Sequence, residues 1–398
     1  MTTATRRRPS PSASRAPSTS LREAVVFCLT AAVGLRSITV VAALIADALP
    51  SLTAQGVPGW PAPPIHPGPG GLFSAFERFD ALWFLRIADD GYRVGDGSAA
   101  FFPAFPLATR AVSVALGGHP LAAATVVSNA SFVIALFATH RLAEDAVGRD
   151  GARFATIVLC AFPTSYFFML PYSESLFLAF AATSILAARR RRWAIAAISG
   201  ALAAATRSIG IALVPVLIVE ALQQRSEGRR SFAPLLAGPA VALGTLSYAA
   251  WWHVVGGDAA IPLTKQQLWQ RSFSWPWETI WDAARITVDR WGHPAGGYWA
   301  LDLAIVVPVI GLAVLAAWRL RPAYAVYVWA SLLGPMLFVY PGRPLMSMPR
   351  FAATLFPITW VAADLTHDRP VARVAIVVAG IAAMLALCVL TLNWFYVF

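Results

Sequence analysis

Charge is what this chain has least of. Only 13% of its 398 residues are Asp, Glu, Lys or Arg, roughly half of the ~25% usual in soluble domains. That shortage excludes an ordinary water-soluble globular protein. Lysine is nearly missing: Lys265 is the only one among 31 basic residues, and arginine supplies the rest. The three cysteines, Cys28, Cys160 and Cys388, each fall in an apolar run, so the chain has no disulfide framework and no thiolate metal spacing. The six histidines are scattered, with no pair at metal-ligand spacing. A Gly-rich phosphate loop, a Walker motif and a nucleophile elbow are all absent. A nucleotide-driven pump is a poor fit, and a substrate energised elsewhere, such as a lipid-linked one, is a better fit.

What the chain has instead is apolar sequence, 58% of all residues with a mean hydropathy of +0.62. A bilayer crossing needs about 20 such residues. Candidate spans fall at 23–47, 120–140, 154–171, 174–188, 193–206, 208–224, 232–254, 298–318, 323–340, 351–366 and 372–396, which predicts an all-α integral membrane bundle of about 11 helices. Residues 1–20, rich in Ser, Pro and Arg, read as a disordered tail. The run that follows is too long for a cleaved signal of roughly 7–15 apolar residues. Residues 21–398 read as a single polytopic domain.

The net charge of +11 does not point to nucleic acid, because the arginines lie in short clusters between apolar spans. With the N-terminus in the cytoplasm, 19 basic residues fall inside, 11 outside and Arg36 within the first span, as the positive-inside rule asks of short loops. This predicts a multi-pass plasma-membrane protein with two long outer loops, 50–119 and 255–297. The first opens with a Pro/Gly-rich run that cannot be helix interior. A helix over 76–90 follows, with Phe79, Leu82, Trp83 and Ile87 at helical spacing and fit to lie on a membrane surface. The apolar run 102–116 reads as a re-entrant or juxtamembrane segment, because a crossing there would invert the charge pattern downstream.

On this topology the polar residues collect at the outer face. Asp80, Asp89 and Asp90 lie in the first loop, Tyr172, Ser173, Glu174 and Ser175 at one junction of two spans, Arg207 and Ser208 at another. Lys265 lies in the second loop, and Arg343 and Arg350 at the last outer turn. Ionisable groups at such depth are expensive and are either functional or paired. Asp80 is either a general base towards a hydroxyl or a capping acid. Glu174 begins a span, where the helix dipole alone would stabilise it. Arg207 either binds a lipid phosphate or bridges to Glu174. Arg343 and Arg350 either hold an anion or snorkel to the interface. Asp96 reads as a solvated loop acid. Arg36, mid-span, requires an internal partner.

The stretches RFDALWFLRIADDGY, AFFPAFPLATR, SNASF, FPTSYFFMLPYSESLF, the Arg207-Ser208 junction and SMPRFAATLFP occur in that order from about residue 76 to 358. Together they resemble the PIG-V-type mannosyltransferases, a family that includes many actinobacterial members. The resemblance implies a GT-C architecture, a long first extracytoplasmic loop carrying an acid, and a polyprenyl-phosphate sugar donor. Asp80 stands at the family's acidic position. The usual Trp-Asp is Phe79-Asp80 here, and Leu82 and Trp83 occupy positions where the family often has His.

The reading that follows is an inverting transfer of mannose at the outer face to a glycolipid, glycan or protein, with Asp80 as base. Arg207, Arg343, Arg350 and Lys265 would hold the donor phosphate and lipid. Trp83, Asp89, Asp90, Phe101, Phe102, Pro103, Tyr172, Glu174 and Ser208 would line the substrate site, with Pro103 and Pro106 fixing the bend behind the loop. No cofactor is called for and metal is left as none. The rival readings are a lipid or solute transporter, disfavoured by the lack of internal repeats, and a non-catalytic subunit of a glycosylation complex.

Overall fold

In the computed structural model, residues 19–49, 61, 74–228, 231–265, 269–293 and 297–397 are described. The 1–18 stretch of the tail, most of the Pro/Gly-rich run and residues 266–268 and 294–296 of the second loop lie outside them. The described residues form a helical bundle with a single two-stranded ladder, Ser272–Phe273 against Phe338–Val339. Among the described residues, six helices are long and apolar enough to cross a membrane: Leu21–Asp47, Pro120–Ala161, Ser208–Ser226, Ala233–Gly256, Gly297–Arg319 and Pro370–Leu392.

Each expected span has a helical counterpart, with instructive differences. The two spans expected at 120–140 and 154–171 form one helical run, Pro120–Ala161, of 42 residues. At 1.5 Å per residue that is about 63 Å, twice a bilayer core. Gly148, at φ +75 and ψ 177, breaks it, a backbone state open to glycine at little cost. The expected basic loop 141–153 is therefore two helix ends meeting at a kink. The span expected over 351–366 is shorter, a Met348–Ala352 turn followed by Pro357–Leu365, because Pro357 has no N–H to continue a helix and starts a new one.

The amphipathic helix of the first loop runs Asp80–Asp90 and is not laid on a surface. Leu82, Trp83 and Ile87 are buried with Phe84 and Leu85 against the Ala104–Ala115 and Pro120–Ala161 helices. The Ala104–Ala115 helix, 12 residues and about 18 Å long, is too short to cross, as the juxtamembrane reading requires. Arg36 finds its partners inside the bundle, donating from Nη2 to Asn129 Oδ1 at 3.0 Å and to the Met169 carbonyl at 2.8 Å. Asn129 belongs to the SNASF stretch.

The helices of the first half run up and down, so their ends alternate between two levels. Asp80, Glu174, Arg207 and Arg350 meet at one level. Arg189 lies at the far end of the helix that Glu174 begins.

Candidate active site

Two carboxylates and two guanidiniums form a chain at this level. Arg350 donates from Nη1 to Asp80 Oδ2 at 2.7 Å, and its Nε lies 3.0 Å from Glu174 Oε1. Arg207 donates from Nη1 to the same Glu174 oxygen at 2.6 Å and to Ser173 Oγ at 3.1 Å. Both acids are first residues of helices, Asp80–Asp90 and Glu174–Arg189, where orphan N–H groups and the dipole favour negative charge. Arg207 comes from a break between helices and Arg350 from the short Met348–Ala352 helix. Arg207 is extended, at φ −152 and ψ 145, between Trp193–Thr206 and the 3-10 turn Ser208–Ala212. Gly210 makes that turn possible: a Cβ there would lie 2.4–2.5 Å from the backbone of Ala203 and Ala204.

Beside the chain is a cavity of about 740 Å³, counting the space open at its mouth. Asp80, Arg207, Arg350 and Arg271 line its polar wall, and Phe101, Phe102, Trp269, Phe351 and Tyr396 its aromatic one. Ser208 and Ser347 are at its edge. Asp80 Oδ1 has no hydrogen-bond partner recorded among the described residues, in contrast to Oδ2.

Arg271 is the residue that the sequence reading missed. It comes from the second loop and faces the same cavity. Among the described residues no carboxylate lies within ion-pair distance of it. Burial lowers its pKa from the usual arginine value; Tyr396 and Asp80 oppose that shift, while Arg350 and Arg207 add to it. Burial also lowers the pKa of Arg207, against the pull of Glu174. Arg350 is raised despite burial, because Glu174 and Asp80 both flank it. Two carboxylates thus face three guanidiniums, and the excess is positive. An anion entering the cavity would relieve it.

The other expected residues are placed as follows. Tyr172 is buried, donates its hydroxyl to the Arg78 carbonyl at 2.8 Å and lies under Arg350, 5.5 Å from guanidinium to ring centre. Trp83 is buried behind the cavity, stacked on Phe101 at 5.5 Å. Pro103 caps the Ala104–Ala115 helix and Pro106 is buried in its first turn. Lys265 is half-buried and turned elsewhere, with Nζ 3.3 Å from the Gly95 carbonyl. Asp89 and Asp90 are exposed at the far end of their helix, Asp90 paired to Arg93 at 2.6 Å. Asp96 is not a free loop acid: it accepts from Ser98 N at 2.8 Å and pairs with Arg86 at 2.7 Å. Among the described residues, no three His, Cys, Asp or Glu side chains gather as a metal site would need.

Arg343 is a correction. It is buried and bidentate on Asp302, at 2.6 and 2.8 Å, and also donates to the carbonyls of Tyr396 and Val397. Four of its five N–H groups are so engaged and its charge is matched by Asp302, so it serves the scaffold and not a donor phosphate. It instead ties down the 393–397 strap, which brings Tyr396 to the cavity. The strap is held a second time by Arg78, which donates from Nε to the Leu392 carbonyl at 2.7 Å and lies over the Trp394 ring.

The backbone around the site is strained. Of the five described non-glycine residues with positive φ, four adjoin it: Phe79 before Asp80, Gln270 before Arg271, Ser347 on the cavity wall, and Trp394 in the strap. Phe79, at φ 51 and ψ −118, is clamped edge-on between Trp394 and Tyr396, with ring centres 5.5 and 5.0 Å away. Strain of this kind persists only where the surroundings over-determine it, and it collects at functional sites.

Residues 68–228 match the family described as mannosyltransferase (PIG-V). This segment is a PIG-V mannosyltransferase domain. It carries Asp80, Glu174 and Arg207, and the protein is a membrane glycosyltransferase. Arg271, Arg350 and Tyr396 join the site from beyond the matched stretch. No curated protein matches the chain. Among solved structures it is similar to ArnT from Cupriavidus metallidurans bound to undecaprenyl phosphate, at 14% identity, over 92% of this chain and 76% of that one, with a TM-score of 0.48. It is also similar to the Archaeoglobus fulgidus oligosaccharyltransferase in complex with zinc and sulfate, at 14% identity, over 91% of this chain and 53% of that one, with a TM-score of 0.39. The chain thus spans about half of the archaeal enzyme.

Proposed function

We propose that this mannosyltransferase takes mannose from a polyprenyl-phosphate carrier and transfers it, with inversion, to a hydroxyl of a cell-envelope acceptor, a glycolipid, glycan or protein. The site would face the extracytoplasmic side and the N-terminus the cytoplasm. The observation that carries this reading is the cavity lined by both Asp80 and Arg271, the latter without a carboxylate partner among the described residues.

The division of labour follows from the charges. The bond that breaks joins the sugar C1 to a phosphate oxygen, and the leaving phosphate gains negative charge as it departs. Arg271, with Arg350 and Arg207 near it, is placed to receive that charge in a partly enclosed site, where such contacts count most. Arg350 also orients Asp80 by holding Oδ2, which leaves Oδ1 for the acceptor hydroxyl. Asp80 accepts the hydroxyl proton as the oxygen attacks C1 from the face opposite the phosphate. Glu174 stays out of the chemistry: it is buried beneath the two arginines and fixes their spacing. The aromatic wall of Phe101, Phe102 and Trp269 suits the apolar face of a sugar or the first isoprene units.

The test is transfer from radiolabelled polyprenyl-phosphate mannose by the purified protein in liposomes, with envelope extract from a deletion strain as acceptor. Label should move to a product that Asp80→Asn no longer makes. Wild-type transfer by a well-folded Asp80→Asn protein would remove Asp80 as base. No transfer by the wild type from this donor, with transfer from another sugar carrier, would change the donor.

A further inference from the structure

The Pro276–Asp289 helix of the second loop has three faces. At 100° per residue, Thr279, Ala283 and Thr287 fall within about 80° of one another, and all three are buried. Ala283 packs with Val306 and Val309 of the Gly297–Arg319 helix, and Thr279 donates to the Met336 carbonyl at 2.9 Å. Glu278, Asp282, Arg285 and Asp289 form a second stripe about 60° wide, and it is exposed. Trp277, Trp281 and Val288 form a third, within about 40°.

The third stripe is also exposed: Trp277 is 64% accessible, Trp281 70% and Val288 74%. It does not stop at the helix. Trp291 follows at 75%. Upstream, Trp275 stacks on Trp277 at 5.0 Å and meets Phe273, which in turn meets Phe338 across the short ladder at 6.1 Å. An aromatic patch of this extent is costly in water. A helix with only a protein face and a water face would have no use for it.

The position of the helix says what covers the patch. The Gly297–Arg319 span begins a few residues after the helix ends, and the Pro322–Met336 helix finishes beside its buried face. Both neighbours therefore reach their ends at this level, which is where a bilayer meets water. Tryptophan is enriched at that depth because its ring is apolar while its N–H still finds a polar partner. Arg285, on the margin of the stripe, can reach headgroup phosphate while its stem stays apolar.

We infer that the Pro276–Asp289 helix lies flat in the interfacial layer of the bilayer, with Trp277, Trp281, Val288 and Trp291 towards the acyl chains and the acidic stripe towards water. It would then anchor the segment that carries Arg271, five residues upstream of the helix, at headgroup depth. The inference does not depend on the reaction proposed above.

The test is a depth measurement. In full-length protein with Cys28, Cys160 and Cys388 replaced by alanine, a nitroxide is placed in turn by Trp281→Cys, Val288→Cys and Asp282→Cys. The protein is reconstituted in nanodiscs of phosphatidylcholine and phosphatidylglycerol. Labels at 281 and 288 should collide with oxygen several-fold more than with a water-soluble nickel chelate, and the label at 282 should show the reverse order. Equal nickel access at all three positions overturns the inference. So does an immobilised label at 281 and 288 shielded from both reagents, which would mean that a second copy or another protein covers the stripe. Val288→Cys carries the test by itself if Trp281→Cys does not fold.

Discussion

Glu174 and Glu220 are each 1% exposed, and each lies between two arginines. At one end of the bundle Arg207 and Arg350 hold Glu174 at 2.6 and 3.0 Å. At the other end Arg189 and Arg321 hold Glu220 at 3.0 and 3.5 Å. The surroundings differ. Around Glu220, Glu227 pairs with Arg321 at 3.0 Å and Gln224 donates to Glu220 at 2.8 Å, so two cations meet two anions. Around Glu174, among the described residues, the third cation, Arg271, has no acid of its own and Asp80 has one oxygen uncommitted. A buried Glu between arginines is therefore not itself a mark of function. The mark is the imbalance beside it, facing a cavity. A helix-joining cluster balances its charges, while an anion-binding site leaves part of the balance to its substrate.

The largest effect expected from this contrast belongs to Asp80. Loss of a general base costs on the order of 10²–10⁴ in rate, so Asp80→Asn should lower kcat of mannosyl transfer by about that factor while the protein still extracts and reconstitutes as a folded bundle. Asp80→Glu should recover part of the rate. Next comes Arg271→Gln, with a loss on the order of 10²-fold if the guanidinium stabilises the leaving phosphate. Because Arg271 has no ion-pair partner to orphan, its thermal stability should match or exceed the wild type. A fall in stability without a fall in turnover would place Arg271 with the structural arginines.

Glu220→Gln tests the other end. Removing one partner of a buried pair costs about 3–5 kcal/mol in water-soluble proteins, so a clear drop in melting temperature is expected, with kcat per folded molecule unchanged. A turnover loss in Glu220→Gln comparable to that in Arg271→Gln would erase the distinction between the two ends.

Much of this contrast was legible before the fold was known. Apolar length alone located the helices, because a chain in lipid has few ways to satisfy its backbone. Asp80, Glu174, Arg207 and Arg350 stood out as charges beside apolar runs, and the structure links those four in one chain of ion pairs. Arg271 and Tyr396 did not stand out. Each sits in an irregular segment, where no period predicts which way a side chain faces. Lys265 attracted attention through composition, and rarity of a residue type says nothing about its position. Arg343 was misjudged because its partner, Asp302, is a single acid inside a span. Such an acid is a signal in its own right, since it must be paired, and it would have claimed Arg343 for the scaffold.

The smallest effects concern backbone strain, and here the two ends should again diverge. Arg191 is the one described non-glycine residue with positive φ at the Glu220 end, at φ 63. It is exposed, in the turn between the Glu174–Arg189 and Trp193–Thr206 helices. Arg191→Gly should relieve about 1 kcal/mol of left-handed strain, partly offset by the greater freedom of an unfolded glycine, giving a melting temperature equal or slightly higher and unchanged turnover. Phe79→Gly relieves comparable strain but forfeits a half-buried ring, worth about 1.5–3 kcal/mol if it were fully buried. With glycine's unfolded freedom counted here too, the ring loss outweighs the relief by about 1 kcal/mol, so the protein should stay folded. Turnover should nevertheless fall, because the ring clamped between Trp394 and Tyr396 aims the first turn that bears Asp80. Equal turnover in Phe79→Gly and wild type would mean that the strain beside Asp80 has no more to do with catalysis than the strain at Arg191.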